Sequence, residues 1–214
     1  MNERLLTIDV WFDLICPWCL IGKRQLEQAR AEFAALHPEV AVELRWHSLQ
    51  LLPHLPEEGV DFRAFYRQRL GGDAAVAARQ AQVREAGRPL GLDFAFERIE
   101  RMPNTLSAHG LVADARAQAG APGAEAILEA LFTAYFQQGA DLGDPQTLAC
   151  IAEERGLQTS AQRPRLPPEQ GISGVPCFVF NGRHALSGAQ PARQLLDAMR
   201  AATQMPAEAG AANH

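Results

Sequence analysis

Hydrophobic and polar residues alternate near the start of the chain. Leu6, Ile8 and Val10 fall on one side of this alternation, and the residues between them are polar. A repeat of two residues is typical of a strand that buries one face. The pattern therefore predicts a β-strand over residues 5–13.

After the first cysteine, the spacing of apolar residues becomes that of a helix. One helical face collects five apolar residues: Leu20, Leu26, Ala29, Phe33 and Leu36. The pair His37-Pro38 ends this pattern. Residues 40–46 alternate again and predict a second strand. The chain thus opens as β-α-β, with Cys16 where the first strand turns into the helix.

The middle of the chain, residues 61–138, is rich in Ala, Arg, Glu and Gln and poor in β-branched residues, which predicts several helices. Predicted breaks between them fall at residues 71–72, 87–91, 102–103 and 120–123. A further helix is predicted to begin at Asp144-Pro145 and to end at Gly156. This region is expected to form a helical block.

The last third of the chain returns to strand patterns. A Pro-rich link over residues 158–170 precedes the apolar run 175–180. Asn181-Gly182 is a hairpin turn signal, and residues 184–187 are predicted to form the returning strand. A final helix is predicted to start near Gln190-Pro191, and the small, polar tail 205–214 is expected to be flexible.

Strands from both ends of the chain must share one sheet, so the sequence predicts an α/β fold interrupted by a helical insertion. The expected discontinuous domain comprises residues 1–58 and 143–204, and the insertion comprises residues 59–142. The 214-residue chain, with 47% apolar residues, is long enough to bury a substantial core.

Charge and hydropathy exclude two classes of partner. The net charge of −5 provides no basic field for nucleic acid. The longest uncharged apolar stretch, residues 14–21, is far shorter than the roughly 20 residues that span a bilayer. Asp9 and Asp13 interrupt the apolar N-terminal region, which is unlike an export signal. We therefore expect a cytoplasmic protein with no nucleic-acid or membrane partner.

The four cysteines are too few for a scaffold held together by disulfides. In a reducing compartment, paired cysteines are therefore expected to take part in a reaction rather than to hold the fold together. Cys16 and Cys19 form a C-x-x-C pair. A cysteine at a helix N-terminus faces unpaired N–H groups and the positive end of the helix dipole, which favour the thiolate. Cys16 is therefore the expected attacking sulfur, and Cys19, one turn later, is expected to resolve a mixed disulfide.

The residues between these cysteines fit the same interpretation. Pro17 suits the first helical turn, because its missing N–H costs nothing there. Trp18 offers bulk on which a substrate peptide can pack. Both are expected to contact substrate.

The alternative for a C-x-x-C pair is half of a zinc site. Zinc usually requires four ligands, but Cys150 and Cys177 are isolated and no His-x3-His pair occurs. His47 and His54 have an unfavourable spacing. The sequence therefore predicts no metal.

Asp13, three residues before Cys16, is a candidate acceptor for the Cys19 proton. The alternative is that Asp13 only bonds turn amides, as aspartates at strand ends often do. Lys23 and Arg24 lie about two turns into the helix and are expected on the solvated surface.

Val175-Pro176 is the second element of the expected site. A proline that opens an apolar strand must lie at an edge, a first position or a turn, because it cannot donate to a ladder. A cis bond here would leave the backbone groups of Val175 available to pair with an extended substrate.

Several segments together resemble the thioredoxin superfamily, specifically its DsbA-like, FrnE-type branch of cytoplasmic oxidoreductases. They are residues 13–22, Pro103-Asn104-Thr105 with Ala108-His109, residues 131–136, Gly174-Val175-Pro176, and residues 187–190. The resemblance implies a thioredoxin-like fold with an all-helical insertion, a cis Pro176 facing the dithiol, and thiol–disulfide exchange with no metal or bound organic cofactor.

Two departures from this branch concern the C-terminal half. The link over residues 158–170 is shorter than usual, and Cys177 replaces a large apolar residue. We expect Cys177 to be a buried small hydrophobe, the alternative being a third thiol near the dithiol. Cys150 is expected in the core. His109 is a candidate for shaping the substrate groove, the alternative being a hydrogen-bonded structural histidine.

The leading functional prediction is a disulfide oxidoreductase or isomerase with Cys16, Cys19 and Pro176 as catalytic residues. Its partners would be thiol- or disulfide-containing proteins or a small thiol. One alternative is an isomerase or transferase with glutathione as cosubstrate, as in the related 2-hydroxychromene-2-carboxylate isomerases and kappa-class glutathione transferases. These generally use a serine, so two cysteines favour exchange. Another alternative is a chaperone that the dithiol switches.

Overall fold

The structure is a computed structural model that describes residues 4–160, 166 and 171–204. Its strands are β1 (Arg4–Phe12), β2 (Val40–Ser48), β3 (Val60–Asp61), β4 (Arg101–Met102), β5 (Cys177–Phe180) and β6 (His184–Ser187). Its α-helices are α1 (Pro17–Leu36), α2 (Phe62–Leu70), α3 (Asp73–Gly87), α4 (Leu106–Thr133), α5 (Pro145–Glu154) and α6 (Ala192–Gln204).

The main sheet has four strands in the order β2-β1-β5-β6. β1 pairs in parallel with β2, whereas β1 with β5 and β5 with β6 pair antiparallel. Parallel pairing of β1 and β2 requires a crossover, which α1 supplies. Because β1 and β5 come from opposite ends of the chain, their pairing closes one α/β fold, as the sequence predicts.

Alternate residues of β1 build the core, as the two-residue repeat predicts. Leu6 and Ile8 are fully buried, and the apolar face of α1 joins the same cluster. α1 packs beside α6. Leu36, predicted on this face, is 48% exposed because α1 ends there and His37 turns the chain away.

The insertion consists largely of helices, and the predicted break at residues 71–72 separates α2 from α3. Gly71, with φ of +88°, ends α2 in the left-handed conformation that favours glycine. The predicted break at residues 120–123 lies inside α4, where the backbone leaves helical geometry at Ala119 and Gly120 and a kink joins two helical segments. Contrary to the all-helical expectation, β3 and β4 form a two-stranded ladder. Strands of two residues are too short to leave an alternating pattern in the sequence.

Lys23 corrects the prediction of a solvated surface on α1. Its side chain is only 4% exposed, and its Nζ lies 2.8 Å from Glu129 Oε2 on α4. Arg24 also bonds Glu129, and Arg30 bonds Glu125 at 2.6 Å. These ion pairs fasten the insertion to α1, so the charged face of α1 is an interface between helices.

Cys150 also differs from its expectation, because it is exposed on α5 whereas Leu148, Ile151 and Ala152 are buried. Cys177 is buried, as expected. Most of the Pro-rich link and the whole 205–214 tail lie outside the described residues. None of the described helices combines the length and hydropathy that a membrane span requires.

Candidate functional site

The two cysteines of the C-x-x-C pair meet at the beginning of α1. Cys16 is the N-cap residue, Pro17 is the first helical residue, and the Cys19 N–H donates to the Cys16 carbonyl at 3.0 Å. A hydrogen bond also joins the two side chains, and both cysteines are free thiols. The sulfur atoms are therefore neighbours at a helix N-terminus.

Their surroundings make the two thiols unequal. Burial raises the pKa of Cys19 well above its ordinary value, and a side-chain hydrogen bond that the Cys19 thiol donates to Cys16 raises it further. The negative charges of Cys16 and Asp13 also raise the pKa of Cys19, whereas a hydrogen bond from the Asp13 backbone lowers it. Cys19 is 3% exposed and Cys16 is 7% exposed. Cys19 is therefore a thiol at neutral pH and needs a base before it can attack.

The segment before β5 lies against the first cysteine. The sulfur of Cys16 lies 3.7 Å from the Val175 carbonyl oxygen. The Val175–Pro176 peptide bond is cis. Pro176 is buried and Val175 is half-buried. The fold thus brings Cys16, Val175 and Pro176 together although about 160 residues separate them in sequence.

Pro17 and Trp18 are half-buried residues of the first turn of α1. Trp18 packs against the hydrophobic core with the rest of its surface exposed. Both residues therefore flank the dithiol and retain accessible surface.

Asp13 is completely buried beneath the dithiol. Its Oδ1 accepts a hydrogen bond from the Leu14 N–H at 2.7 Å, and its Oδ2 accepts one from the Leu51 N–H at 2.7 Å. Oδ1 also lies 3.2 Å from His109 Nε2. Asp13 therefore bonds backbone amides, and its charge raises the pKa of Cys19. Its role as acceptor of the Cys19 proton stays a prediction.

His109 lies one turn into α4 and has no exposed surface. Its side chain therefore lies below the substrate-accessible surface, against Asp13 and the ring of Phe12. The preceding Asn104 donates to the Leu55 carbonyl at 2.7 Å and accepts from the side chain of Gln50. This segment thus ties the loop after β2 to the start of α4.

Tyr66 on α2 is a site residue that sequence reasoning did not identify. Burial, together with the charge of Cys16, raises the pKa of Tyr66 to about 12, and Arg69 and Arg79 oppose the rise. The insertion therefore brings the Tyr66 phenol into the electrostatic environment of Cys16. Only the packing of α2 could have revealed this, since no local pattern marks Tyr66.

Metal ligands are not assembled around the dithiol. In the part of the chain that the structure describes, no group of three or more His, Cys, Asp and Glu residues could hold a metal ion. The chemistry of the site must therefore be derived from the thiols, the carboxylate and the imidazole.

A comparison with protein-family models identifies the chain. The DsbA-like thioredoxin domain model matches residues 7–169, which is more than half of the sequence. The chain belongs to the DsbA-like thioredoxin domain family. This membership confirms the resemblance seen in the sequence and the predicted thioredoxin-like α/β fold with a helical insertion.

Solved structures share the DsbA-like fold. A protein described as a probable DsbA oxidoreductase from Streptomyces coelicolor has a TM-score of 0.82 at 24% identity, covering 97% of this chain and 94% of that chain. A 2-hydroxychromene-2-carboxylate isomerase has a TM-score of 0.59 at 15% identity, covering 92% and 97%. The cytosolic disulfide reductase DsbM from Pseudomonas aeruginosa, solved with GSH, has a TM-score of 0.59 at 19% identity, covering 91% and 96%.

The comparison with curated protein sequences gives no match. The DsbA-like family membership therefore defines the fold and the general class of chemistry, while substrate and direction of reaction must be argued from the site.

Proposed function

We propose that the protein is a thiol–disulfide oxidoreductase that exchanges or isomerises disulfides through Cys16 and Cys19. The observation that carries this proposal is the pair of free thiols in the first turn of α1, Cys16 at the N-cap and Cys19 one turn later, with the Val175 carbonyl oxygen 3.7 Å from the Cys16 sulfur. Membership of the DsbA-like family supports the same class of chemistry.

In the first step, the Cys16 thiolate attacks a disulfide of the substrate. A bond forms between Cys16 Sγ and one substrate sulfur, while the substrate disulfide breaks and its second sulfur leaves as a thiolate. The unpaired N–H groups and dipole at the start of α1 stabilise the attacking thiolate. Cys16 is the N-cap residue of α1, next to the positive end of the helix dipole, and its side chain forms no hydrogen bond to the N–H groups of the first turn.

In the second step, Cys19 resolves the mixed disulfide. Asp13 takes the proton of the Cys19 thiol, and the resulting thiolate attacks Cys16 Sγ. The Cys16–substrate bond breaks, the substrate leaves as a thiolate, and the enzyme holds a Cys16–Cys19 disulfide. Because burial keeps the pKa of Cys19 high, this step depends on an adjacent acceptor. Run in reverse, the same steps oxidise a substrate dithiol.

The substrate surface of the proposal is the rim around Cys16. Pro17 and Trp18 supply apolar contact, Val175 supplies backbone groups for an extended segment, and Pro176 holds that segment beside the sulfur. Partners are thiol- or disulfide-containing proteins or a small thiol. The rim requires no metal or bound organic cofactor.

Glutathione is the small thiol included in this proposal, as a cosubstrate rather than a resident cofactor. DsbM, which shares the fold, was solved with GSH and is a cytosolic disulfide reductase. We propose a cytoplasmic location for this chain as well, since four free cysteines fit a reducing compartment better than a disulfide-bonded scaffold.

Insulin reduction tests the proposal, with dithiothreitol as the reductant that regenerates the dithiol. We expect Cys16→Ser to abolish the acceleration and Cys19→Ser to accumulate mixed disulfides. Cys150→Ser is the matched control, because this exposed thiol lies away from the dithiol and its loss should leave the rate unchanged. Full activity of Cys16→Ser would refute the proposal.

A further assay separates the alternatives predicted from the sequence. A glutathione-dependent isomerase or transferase would convert a small-molecule substrate in the absence of any disulfide, and a redox-switched chaperone would suppress aggregation without turnover of disulfides. We expect neither activity from Cys16→Ser or from the native protein under these conditions.

A further inference from the structure

The residue pair Asp13–His109 is completely buried, and its two members come from distant parts of the chain. Asp13 follows β1, and His109 lies in α4, yet both side chains have zero exposed surface. Burying two ionisable groups is costly unless each is hydrogen-bonded, so such a pair is rarely neutral for stability or function. The proposed exchange reaction uses Asp13 but assigns no role to His109.

The hydrogen bonds around the carboxylate define what the imidazole does. Each carboxylate oxygen already accepts from a backbone N–H, Oδ1 from Leu14 and Oδ2 from Leu51. An ionised carboxylate only accepts, so the third contact, His109 Nε2 at 3.2 Å from Oδ1, must be an N–H donor to it. Three N–H groups therefore surround the Asp13 carboxylate.

The other ring nitrogen fixes the protonation state of the imidazole. Within the described residues, His109 Nδ1 is buried and has no hydrogen-bond partner. A protonated ring would leave an N–H donor unsatisfied against the ring of Phe12, which is far costlier than a bare lone pair. His109 is therefore a neutral Nε2–H tautomer with a single polar partner.

The groups that face the pair do not replace this interaction. Cys19 and Cys16 approach from α1, and the buried Tyr135 approaches from the turn after α4. Tyr135 directs its hydroxyl to the Arg101 carbonyl at 3.4 Å. In the described part of the chain, no Lys or Arg forms an ion pair with Asp13, so His109 supplies the side-chain donor.

We infer that His109 is a positioning residue for the resolving step: its Nε2–H bonds the Asp13 carboxylate and holds it in place as the acceptor of the Cys19 proton. This inference rests on the proposed oxidoreductase function. The proton moves from Cys19 Sγ to a carboxylate oxygen of Asp13, and His109 neither gains nor loses a proton. Without the imidazole donor, the carboxylate loses one of its three hydrogen bonds, and its position is no longer fixed from the side of α4.

Single-turnover reaction with an aromatic disulfide that releases a coloured thiolate separates the two steps. The reaction is run in a Cys150→Ser background, because the exposed Cys150 would also release a thiolate. The dinitrobenzoate disulfide then releases one thiolate when Cys16 attacks and a second when Cys19 resolves the mixed disulfide. Both phases are followed from pH 5 to pH 9. Absence of a first phase in the Cys150→Ser protein would refute the proposed function, independently of His109.

The variants compare loss of the donor with its retention. His109→Leu and His109→Met fill the pocket without a donor, whereas the Nε2 of His109→Gln reaches a similar depth and can donate. We expect the donor-free variants to keep the first phase within about twofold and to slow the second at least about tenfold at pH 6. His109→Gln should restore most of the second phase.

Circular dichroism and thermal unfolding establish that each variant is folded, and His109→Met serves where His109→Leu does not fold. A merely structural role would slow both phases alike at every pH. Three results would overturn the inference: equal slowing of both phases, an unchanged second phase in a folded donor-free variant, or equal behaviour of His109→Gln and the donor-free variants.

Discussion

Gly22 on α1 lies directly against Pro176. A β-carbon built on Gly22 would lie 3.1 Å from Pro176 Cγ and 3.0 Å from Phe178 Cζ, both closer than ordinary van der Waals contact. The absence of a side chain at position 22 therefore lets α1 approach the segment that borders the Cys16 sulfur. Helix packing and the geometry of the proposed site depend on the same glycine.

Gly22→Val should damage both stability and exchange. The added methyl groups overpack the contact with Pro176 and Phe178, which costs about 1–3 kcal/mol of unfolding free energy. Because the strain falls on Pro176, the rate of insulin reduction should drop as well. Urea unfolding and the reduction assay measure the two effects.

The matched control for this change is Ala34→Val, which introduces the same β-branched residue on the exposed side of α1. We expect it to cost only about 0.5–1 kcal/mol through helix propensity and to leave the reduction rate unchanged. Equal losses of unfolding free energy in Gly22→Val and Ala34→Val would show that position 22 is sensitive only to β-branching.

The four thiols should react with iodoacetamide in a defined order at pH 7. Cys16, with its thiolate stabilised at the start of α1, and the exposed Cys150 should both react early. Burial raises the pKa of Cys19 and, despite a hydrogen bond with Ser187, that of Cys177. Both should therefore be slow, and their rates should keep rising as the pH increases above 8.

Mass mapping of the alkylated peptides measures this order, and the same reaction in guanidinium provides the control, since all four thiols should then react alike. Modification of Cys19 as fast as Cys16 in the folded protein would contradict the assignment of attacking and resolving sulfurs.

Local signals in the sequence were sufficient for the sheet and the dithiol. The alternating residues of β1, the C-x-x-C pair at its end and the Asn181-Gly182 turn each specify structure within a few positions. The sequence also indicated Pro176, because a proline before an apolar strand limits where that strand can lie.

Partners distant in sequence explain what the sequence could not predict. Lys23 is buried because Glu129, 106 residues away, lies beside it, and His109 meets Asp13 across 96 residues. Tyr66 affects the dithiol only through the packing of α2. In each case the role of a polar residue depends on a tertiary neighbour, and propensity and periodicity do not encode such a neighbour.

Glu129→Gln tests the buried connection between α1 and α4. Burial alone would raise the pKa of Glu129, but hydrogen bonds and charge from Arg24 and Lys23 hold it below its ordinary value. Removing the carboxylate leaves the buried Lys23 with Glu27 as its remaining acid partner. Since Glu129 is about one-third exposed, we expect a loss of about 1–2 kcal/mol at pH 7 rather than the full cost of a broken buried pair.

The pH dependence of this loss follows from the lowered pKa. A carboxyl group with a depressed folded-state pKa contributes stability above its unfolded pKa of about 4.3, and the contribution disappears as the pH falls through the folded-state pKa. The difference between native and Glu129→Gln unfolding curves should thus be constant from pH 6 to 8 and should shrink below about pH 4. The control is Glu32→Gln, at an exposed position of α1, which should show no such difference from the native protein. A loss of unfolding free energy in Glu129→Gln that does not depend on pH would contradict the ion-pair explanation.

Asn181 joins the hairpin to both the first strand and the last helix. Its Oδ1 accepts from the Thr7 N–H at 2.9 Å, its Nδ2 donates to the Ala202 carbonyl at 3.0 Å, and its φ is +49°. Asn181→Ala removes two hydrogen bonds of about 1 kcal/mol each and adds a left-handed penalty of about 1–2 kcal/mol, so the unfolding free energy should fall by about 3 kcal/mol.

Asn181→Gly separates these two contributions, because glycine adopts positive φ without the steric penalty. We expect urea unfolding to give a smaller loss for Asn181→Gly than for Asn181→Ala, with the reduction rate of the folded protein unchanged in both. The dithiol follows the C-terminal end of β1, whereas Thr7 lies nearer its N-terminal end. The hairpin should therefore affect the stability of the sheet and leave the reactivity of the thiols unchanged. A larger loss for glycine than for alanine would show that backbone freedom in the unfolded chain outweighs the left-handed turn.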